Sequence, residues 1–194
     1  MTRIVLFESL TLDGVMQAPG RPDEDTRGGF EHGGWAAPYS DPEMGKLATE
    51  NMATTAGLLL GRRTYEDFYS VWPKQKDNPF TDVLNRSQKY VASKTLKEPL
   101  PWENSTLLDG DATDAVARLR KRPGGDLVVL GSGELAQALM RSGLVDEYTL
   151  LIHPLVLGSG QRLFRDDGIL AKLRLVDSRT TPKGVVIGKY RPEA

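Results

Sequence analysis

Asp126-Leu-Val-Val-Leu-Gly-Ser-Gly-Glu-Leu-Ala-Gln-Ala-Leu-Met140 is the stretch on which the fold turns. Leu127 to Leu130 are consecutive apolar residues and read as a buried strand, Gly131-Ser132-Gly133 as a tight turn, and Glu134 to Met140 as a helix with apolar residues at helical spacing. A strand running through such a turn into a helix is a natural anion site. Glycine lets the backbone approach a ligand, and the first N–H groups of the helix lie unpaired at the positive end of its dipole. With Ala136 the run also satisfies G-x-G-x-x-G/A. Small residues packing a strand against a helix would give the same pattern, so the turn alone leaves packing and nucleotide binding as alternatives.

Outward from this stretch, a chain of 194 residues is long enough for a full core and is expected to form one domain over residues 1–194. With 25 basic and 26 acidic residues it has no electrostatic bias toward nucleic acid or an anionic membrane, and neither is expected as a partner. The absence of cysteine removes thiolate chemistry, and His32 and His153 stand far apart, so no metal site is expected. The run Ile4 to Phe7 is too short for a signal peptide or membrane span, which suits a cytoplasmic protein.

Ile4 to Phe7 read as a central strand, apolar on both faces. After Gly14 comes a long segment rich in proline, glycine and charge, the signature of a lid or binding loop, in which Phe30 and Trp35 either cover something or anchor the loop to the core. Ser40-Asp41-Pro42-Glu43 starts a helix with Met44, Leu47, Ala48 and Met52 on one face, which Gly57 breaks. Leu58 to Leu60, Gln88 to Ala92 and Ser105 to Leu108 read as strands. Helices are expected from Tyr65 to Trp72, briefly over Thr81 to Asn85, and after the Asp111 to Asp114 cap. From Asp146 the pattern is strands alone: Tyr148 to Ile152, Leu173 to Val176 and Val185 to Tyr190. Alternating units followed by strands predict a three-layer αβα fold, its central sheet mostly parallel with antiparallel strands at one edge. A Rossmann fold is disfavoured, because its glycine fingerprint follows the first strand and the next strand ends in a carboxylate, whereas here the strand after the fingerprint ends near His153.

Ser9-Leu-Thr-Leu-Asp-Gly14, Leu60-Gly-Arg-Arg-Thr-Tyr65, Ser93-Lys-Thr95 and Leu130-Gly-Ser-Gly-Glu-Leu135, in that order, resemble the dihydrofolate reductase fold. With Pro154-Leu-Val-Leu-Gly-Ser-Gly-Gln-Arg-Leu-Phe164 added, nearly the whole chain resembles the C-terminal reductase domain of the bacterial bifunctional deaminase-reductase of riboflavin biosynthesis. The resemblance implies NADPH. Gly61, Arg62 and Thr64 would meet its phosphate oxygens, with Arg63 left to solvent. Ser93 and Lys94, beside Thr95, would receive the adenosine 2'-phosphate, and Gly131, Ser132, Gly133, Glu134 and Leu135 would present backbone N–H groups to the pyrophosphate. Leu10, Asp13 and Gly14 fall on the nicotinamide and substrate side. Asp13 either orients a ring or helps deliver a proton, or else caps the turn at Asp13-Gly14. Met16, Trp35, Tyr65 and Trp72 are candidate substrate-pocket walls and equally candidates for the core.

Two departures bear on the substrate. The carboxylate that protonates folate would fall near Gly45, and the nearby Asp41 and Glu43 are explained as helix cap and first-turn residues. Without cysteine the chain cannot carry the deaminase zinc site. A reductase acting on another small heterocycle or carbonyl is the expectation. A non-catalytic nucleotide-binding or ligand-sensing protein of the same fold is the alternative, and a third reading is a structural dimer module whose late strands pair across a two-fold axis, the homodimer that the resemblance implies.

Overall fold

The computed structural model describes residues 1–53, 55–76, 79–166 and 170–193, with the backbone alone for 47–49, 51–53, 79 and 80. Eight strands form a mixed sheet: β1 (Ile4–Thr11), β2 (Thr55–Gly61), β3 (Lys89–Ala92), β4 (Ser105–Leu107), β5 (Asp126–Leu130), β6 (Glu147–His153), β7 (Leu173–Thr180) and β8 (Val186–Pro192). Their order is β4-β3-β2-β5-β1-β6-β8-β7. The helices are α1 (Pro42–Ala53), α2 (Arg62–Val71), α3 (Pro79–Arg86), α4 (Ala112–Arg120) and α5 (Gly133–Arg141). The α/β class with antiparallel edge strands is therefore as the sequence predicts. The chain divides into two compact units, the first comprising Met1–Val5 and Thr49–Val145, the second Leu6–Ala48 and the residues from Asp146 onward.

In the first unit β2, β3, β4 and β5 are parallel neighbours, with Gly61 opposite Ala92 and Leu59 opposite Val129. Leu58, Leu59, Leu60, Val91 and Val129 are wholly buried, the reason these runs are apolar on both faces. Two boundaries differ from expectation. Gly57 does not end a helix, because α1 stops at Ala53 and Gly57 lies within β2 at a register shift. A Cβ at Gly57 would come within 2.8 Å of the Gln88 carbonyl, so the glycine permits close backbone approach. Helix α2 begins at Arg62, directly after the strand, rather than at Tyr65. The expected caps are present: Asp111 accepts from the Thr113 and Asp114 N–H groups, and Asp41 from that of Met44. Leu47, Ala48 and Met52, expected on the inner face of α1, have side chains outside the described residues.

In the second unit β6, β8 and β7 are antiparallel, and the turn at 182–184 closes with Gly184 N–H donating to the Thr181 carbonyl. Leu151, Val185 and Ile187 form a buried cluster against which Phe7, Tyr39 and Met44 pack. The long segment after Gly14 contains only two short 3-10 turns, at Arg27–Gly29 and Ala37–Tyr39. Its path is fixed by the buried cluster of Val15, Ala18, Phe30 and Trp35 and by Gln17, whose amide donates to the Asp25 and Arg27 carbonyls and accepts from Gln161 N–H. Glu8 on β1 is 4% exposed, and burial, reinforced by the charge of Glu24, pushes its carboxyl well above the usual range.

Candidate functional site

The turns that the sequence selects for phosphate lie at the carboxyl ends of β3, β2 and β5, three parallel strands adjacent in the first unit. Gly131 and Ser132 are both left-handed, at φ 53° and 55°. This conformation reverses the chain so that α5 starts at Gly133. The turns after β2 and β5 are joined: Gly61 N–H donates to Ser132 Oγ at 2.9 Å, Ser132 Oγ donates to the Leu130 carbonyl at 2.9 Å, and Ser132 N–H donates to Thr64 Oγ1 at 3.0 Å. Neither α2 nor α5 has a side-chain cap at its N-terminus. Two helix N-termini without a side-chain cap thus stand side by side, an arrangement that favours an anion.

The charged side chains nearby form exposed ion pairs. Arg62 Nη1 meets Glu66 Oε2 at 2.8 Å, and Arg63 Nη1 meets Glu134 Oε1 at 3.1 Å. Exposed pairs are worth about 1 kcal/mol or less, so a phosphate could displace either carboxylate. Past β3, Ser93 Oγ accepts from Thr95 N–H at 3.1 Å and Leu96 N–H at 3.0 Å, which shapes a small polar turn with Lys94 exposed upon it. Leu135 is buried, leaving only its backbone N–H for a ligand.

Asp13 lies in the second unit with Leu10 and Gly14. Its Oδ1 accepts from Thr11 Oγ1 at 2.6 Å and Leu157 N–H at 3.2 Å, its Oδ2 from Gly158 N–H at 2.9 Å, and Arg162 Nη2 stands 3.3 Å from Oδ2. The Thr11 hydroxyl first, then the Gly158 and Leu157 N–H groups, lower its pKa to about 2. A carboxyl so acidic has no proton to deliver near neutral pH. This geometry ties the 154–162 loop to the end of β1. Because the folded-state pKa lies below the unfolded 3.8, the stabilisation is complete above about pH 4 and fades as pH falls toward 2. Asp13→Asn should cost about 2 kcal/mol at pH 7, roughly 4–8 °C in melting temperature, and the two melting curves should converge near pH 2. Equal melting at pH 7 would remove the anchor.

The four expected pocket walls fare differently. Met16 and Trp35 are buried in the second unit, Trp35 donating from Nε1 to the Gln17 carbonyl at 2.7 Å. Tyr65 is core rather than pocket: it is 1% exposed, stacks on Tyr69 and accepts the Trp102 N–H on its hydroxyl at 3.0 Å. Trp72 is half-buried, edge-on to Phe68. Among the described residues no cluster of three or more His, Cys, Asp or Glu could hold a metal, and no helix is long and apolar enough to cross a membrane.

The RibD C-terminal domain matches residues 2–187. The chain belongs to the RibD C-terminal domain family. The chain is 33% identical over 191 residues to the Bacillus subtilis protein YyaP, covering 95% of this chain and 92% of that one. It is 30% identical over 138 residues to YwjB of the same organism, covering 71% and 75%. Among solved structures it is similar to a putative riboflavin biosynthesis protein from Shewanella (TM-score 0.75, 23% identity, all of both chains). It is also similar to a pyrimidine reductase-like protein from Corynebacterium diphtheriae (TM-score 0.66, 13% identity, 100% and 92% of the chains). Enterococcus faecalis dihydrofolate reductase, solved with NADP(H) and RAB-propyl, gives a TM-score of 0.62 at 14% identity over 99% and 97% of the chains. The dihydrofolate reductase-like fold expected from the sequence is therefore shown.

Two polar residues of this RibD C-terminal domain escaped the sequence reading. His153 closes β6, wholly buried, its Nδ1 3.3 Å from the Leu10 carbonyl and 3.0 Å from that of Leu151. Lys89 opens β3, also wholly buried, its ammonium donating to the carbonyls of Leu84, Asn85 and Ser87. A polar residue at a strand end carries no local signal of burial, because the partners that satisfy it come from other elements.

Proposed function

We propose that this chain is an NADPH-dependent reductase that transfers a hydride to a small heterocyclic or carbonyl compound, working as a single reductase domain. The observation that carries the reading is the pair of uncapped helix N-termini stitched together through Ser132 at the carboxyl ends of β2 and β5, with the Ser93 turn on the adjoining strand. Family membership and the fold support it. Gly61, Thr64, Gly131, Ser132, Gly133, Glu134 and Leu135 would hold the diphosphate through backbone and hydroxyl groups. Arg62, Ser93 and Lys94 would hold the further phosphate that distinguishes NADPH from NADH. The bound nicotinamide would supply the hydride. Leu10, Gly14, Met16 and Trp35 belong to the substrate end of this reading.

Thermal shift tests the reading. At a hundredfold excess over Kd, NADPH should stabilise the protein by about 2.7 kcal/mol, with NADH giving much less at the same concentration. Arg62→Ala and Lys94→Ala should each weaken NADPH roughly 10- to 100-fold, since a charge-assisted hydrogen bond is worth about 1.5–3 kcal/mol, and leave NADH nearly unchanged. Indifference to both nucleotides at millimolar concentration would end the cofactor assignment. Loss of NADPH absorbance with pterins, pyrimidines or quinones separates a reductase from a non-catalytic sensor. A cytoplasmic homodimer completes the proposal, supported by β7, the edge strand that exposes Leu175 and Val176, and light scattering reads its mass.

A further inference from the structure

Glu8 lies within β1 on the strand face it shares with Leu6 and Leu10, and the three are 4%, 0% and 3% exposed. Among the described residues no basic side chain forms an ion pair with it. The bases around it in the second unit are engaged elsewhere: Arg21 with Asp23 at 3.4 Å, Arg27 with Asp25, and on β8 Arg191 with Glu147 of β6. His153 of β6 is kept neutral by its own burial. A carboxylate taken out of water with no cation beside it is costly, and the group avoids that cost by keeping its proton. Burial first, and then the charge of Glu24, accordingly hold the Glu8 carboxyl well above the usual carboxylate range.

Glu24, the charge felt at Glu8, closes a turn in the long segment after Gly14. Its Oε2 accepts from Gly20 N–H at 2.7 Å and from Arg21 N–H at 3.1 Å, and its own N–H donates to the Arg21 carbonyl at 3.3 Å. The backbone at Gly33 rests directly on this turn, since a Cβ there would come within 2.5 Å of the Pro22 carbonyl oxygen and 2.7 Å of that of Arg21. The chain on either side is held independently. Gln17 binds the carbonyls of Asp25 and Arg27, while Gly34 and Ala36 donate to those of Ala18 and Pro19. A change in the charge facing Glu24 therefore acts on the 20–24 turn and leaves the rest of the segment in place.

We infer that Glu8 and Glu24 form a pH-sensitive switch: with Glu8 protonated Glu24 closes the 20–24 turn, and loss of that proton as pH rises sets two carboxylates against each other and opens it. Of the two, Glu24 is the one that yields, because it is half-buried on a loop whereas Glu8 is fixed in the sheet. The sign follows from where the proton is held. The folded chain keeps the Glu8 proton to higher pH than the unfolded chain, whose carboxyl titrates at 4.5. The contribution of Glu8 to stability is thus complete below 4.5 and is lost as pH rises through the folded value. The switch belongs to the second unit and holds with or without a cofactor.

The test uses the intact chain, labelled with 13C at the glutamate carboxyls and 15N at the amides, titrated by NMR from acid to about pH 9. The Glu8 carboxyl should titrate well above 4.5, and the Gly20 and Arg21 N–H resonances should move with the same midpoint. In Glu8→Gln, which keeps the shape and removes the proton, both amides should hold their acid positions throughout. By chemical denaturation the wild-type folding constant should fall relative to that variant by up to about tenfold per pH unit between 4.5 and the Glu8 midpoint. Glu24→Gln, at a half-buried loop position, gives a second reading: the Glu8 midpoint should move down and the two amides should stop responding. A Glu8 carboxyl that titrates at 4.5 or below, or is still protonated at about pH 9, overturns the inference. So do Gly20 and Arg21 amides that stay still while Glu8 titrates, which would make Glu8 a buried acid with no turn to act on.

Discussion

Lys89→Met is expected to lower the melting temperature by roughly 6–12 °C, corresponding to about 3 kcal/mol in a chain of this length. Methionine fills much of the same volume but donates nothing. The Leu84 and Ser87 carbonyls, now served at 2.8 and 2.7 Å, would lose this donor at the end of α3, while the Asn85 carbonyl, served at 3.2 Å, would keep only the Asn104 side-chain amide. The ammonium also sits 4.5 Å from the centre of the Trp102 ring, and that contact contributes about 1 kcal/mol where water is excluded. Burial opposes this arrangement and draws the pKa down from 10.5 to about 8, yet at pH 7 the group is still the cation that the carbonyls and the ring receive. Removing the cation while keeping its acceptors is the unfavourable half of the exchange. Lys97→Met, at an exposed position, should change stability by about 0.5 kcal/mol or less. Equal melting of the two variants would show that the Lys89 bonds contribute nothing net.

Gly160→Val should be at least as damaging, through a different cause. Gly160 has φ 114°, a conformation L residues rarely adopt, and a Cβ there would come within 2.7 Å of both Phe30 Cε2 and Val15 Cγ1. Backbone strain of about 1–3 kcal/mol adds to a similar overpacking cost, for a total near 4 kcal/mol and a drop of roughly 8–16 °C by calorimetry. Gly158→Ala isolates the backbone part, because φ is 75° there and nothing lies within 4 Å of the added carbon. That variant should lose about 1 kcal/mol. A Gly158 variant as unstable as the Gly160 one would assign the effect to the loop backbone and clear the Val15 and Phe30 contact.

These two residues also mark where sequence reading stops. The strand, turn and helix from Asp126 to Arg141 were legible because each step has a local cause: an apolar run, residues tolerant of the left-handed region, and apolar spacing. The caps at Asp41 and Asp111 were legible for the same reason. Gly57 was misread because a glycine that ends a helix and one that admits a neighbouring backbone look alike in one dimension. Asp13 was placed at the right turn, but its partners Leu157 and Gly158 stand 144 and 145 residues away, so the choice between acid and anchor had no local answer. The burial of His153 could not be foreseen, since only the folded chain sets the Leu10 and Leu151 carbonyls against its ring.

The strand order has a consequence for how the protein is made. β5 lies between β2 and β1, although it leaves the ribosome some 65 residues after β2. Until residues 126–130 arrive, β2 presents a bare row of amide and carbonyl groups on the side β5 will fill, the kind of border that recruits foreign strands. The Ser132 stitch to Gly61 and Thr64 spans 71 and 68 residues and is among the last ties the first unit can make. A nascent chain halted before Asp126 therefore carries β2 but lacks its keystone, and belongs to the class of products that chaperones must shelter.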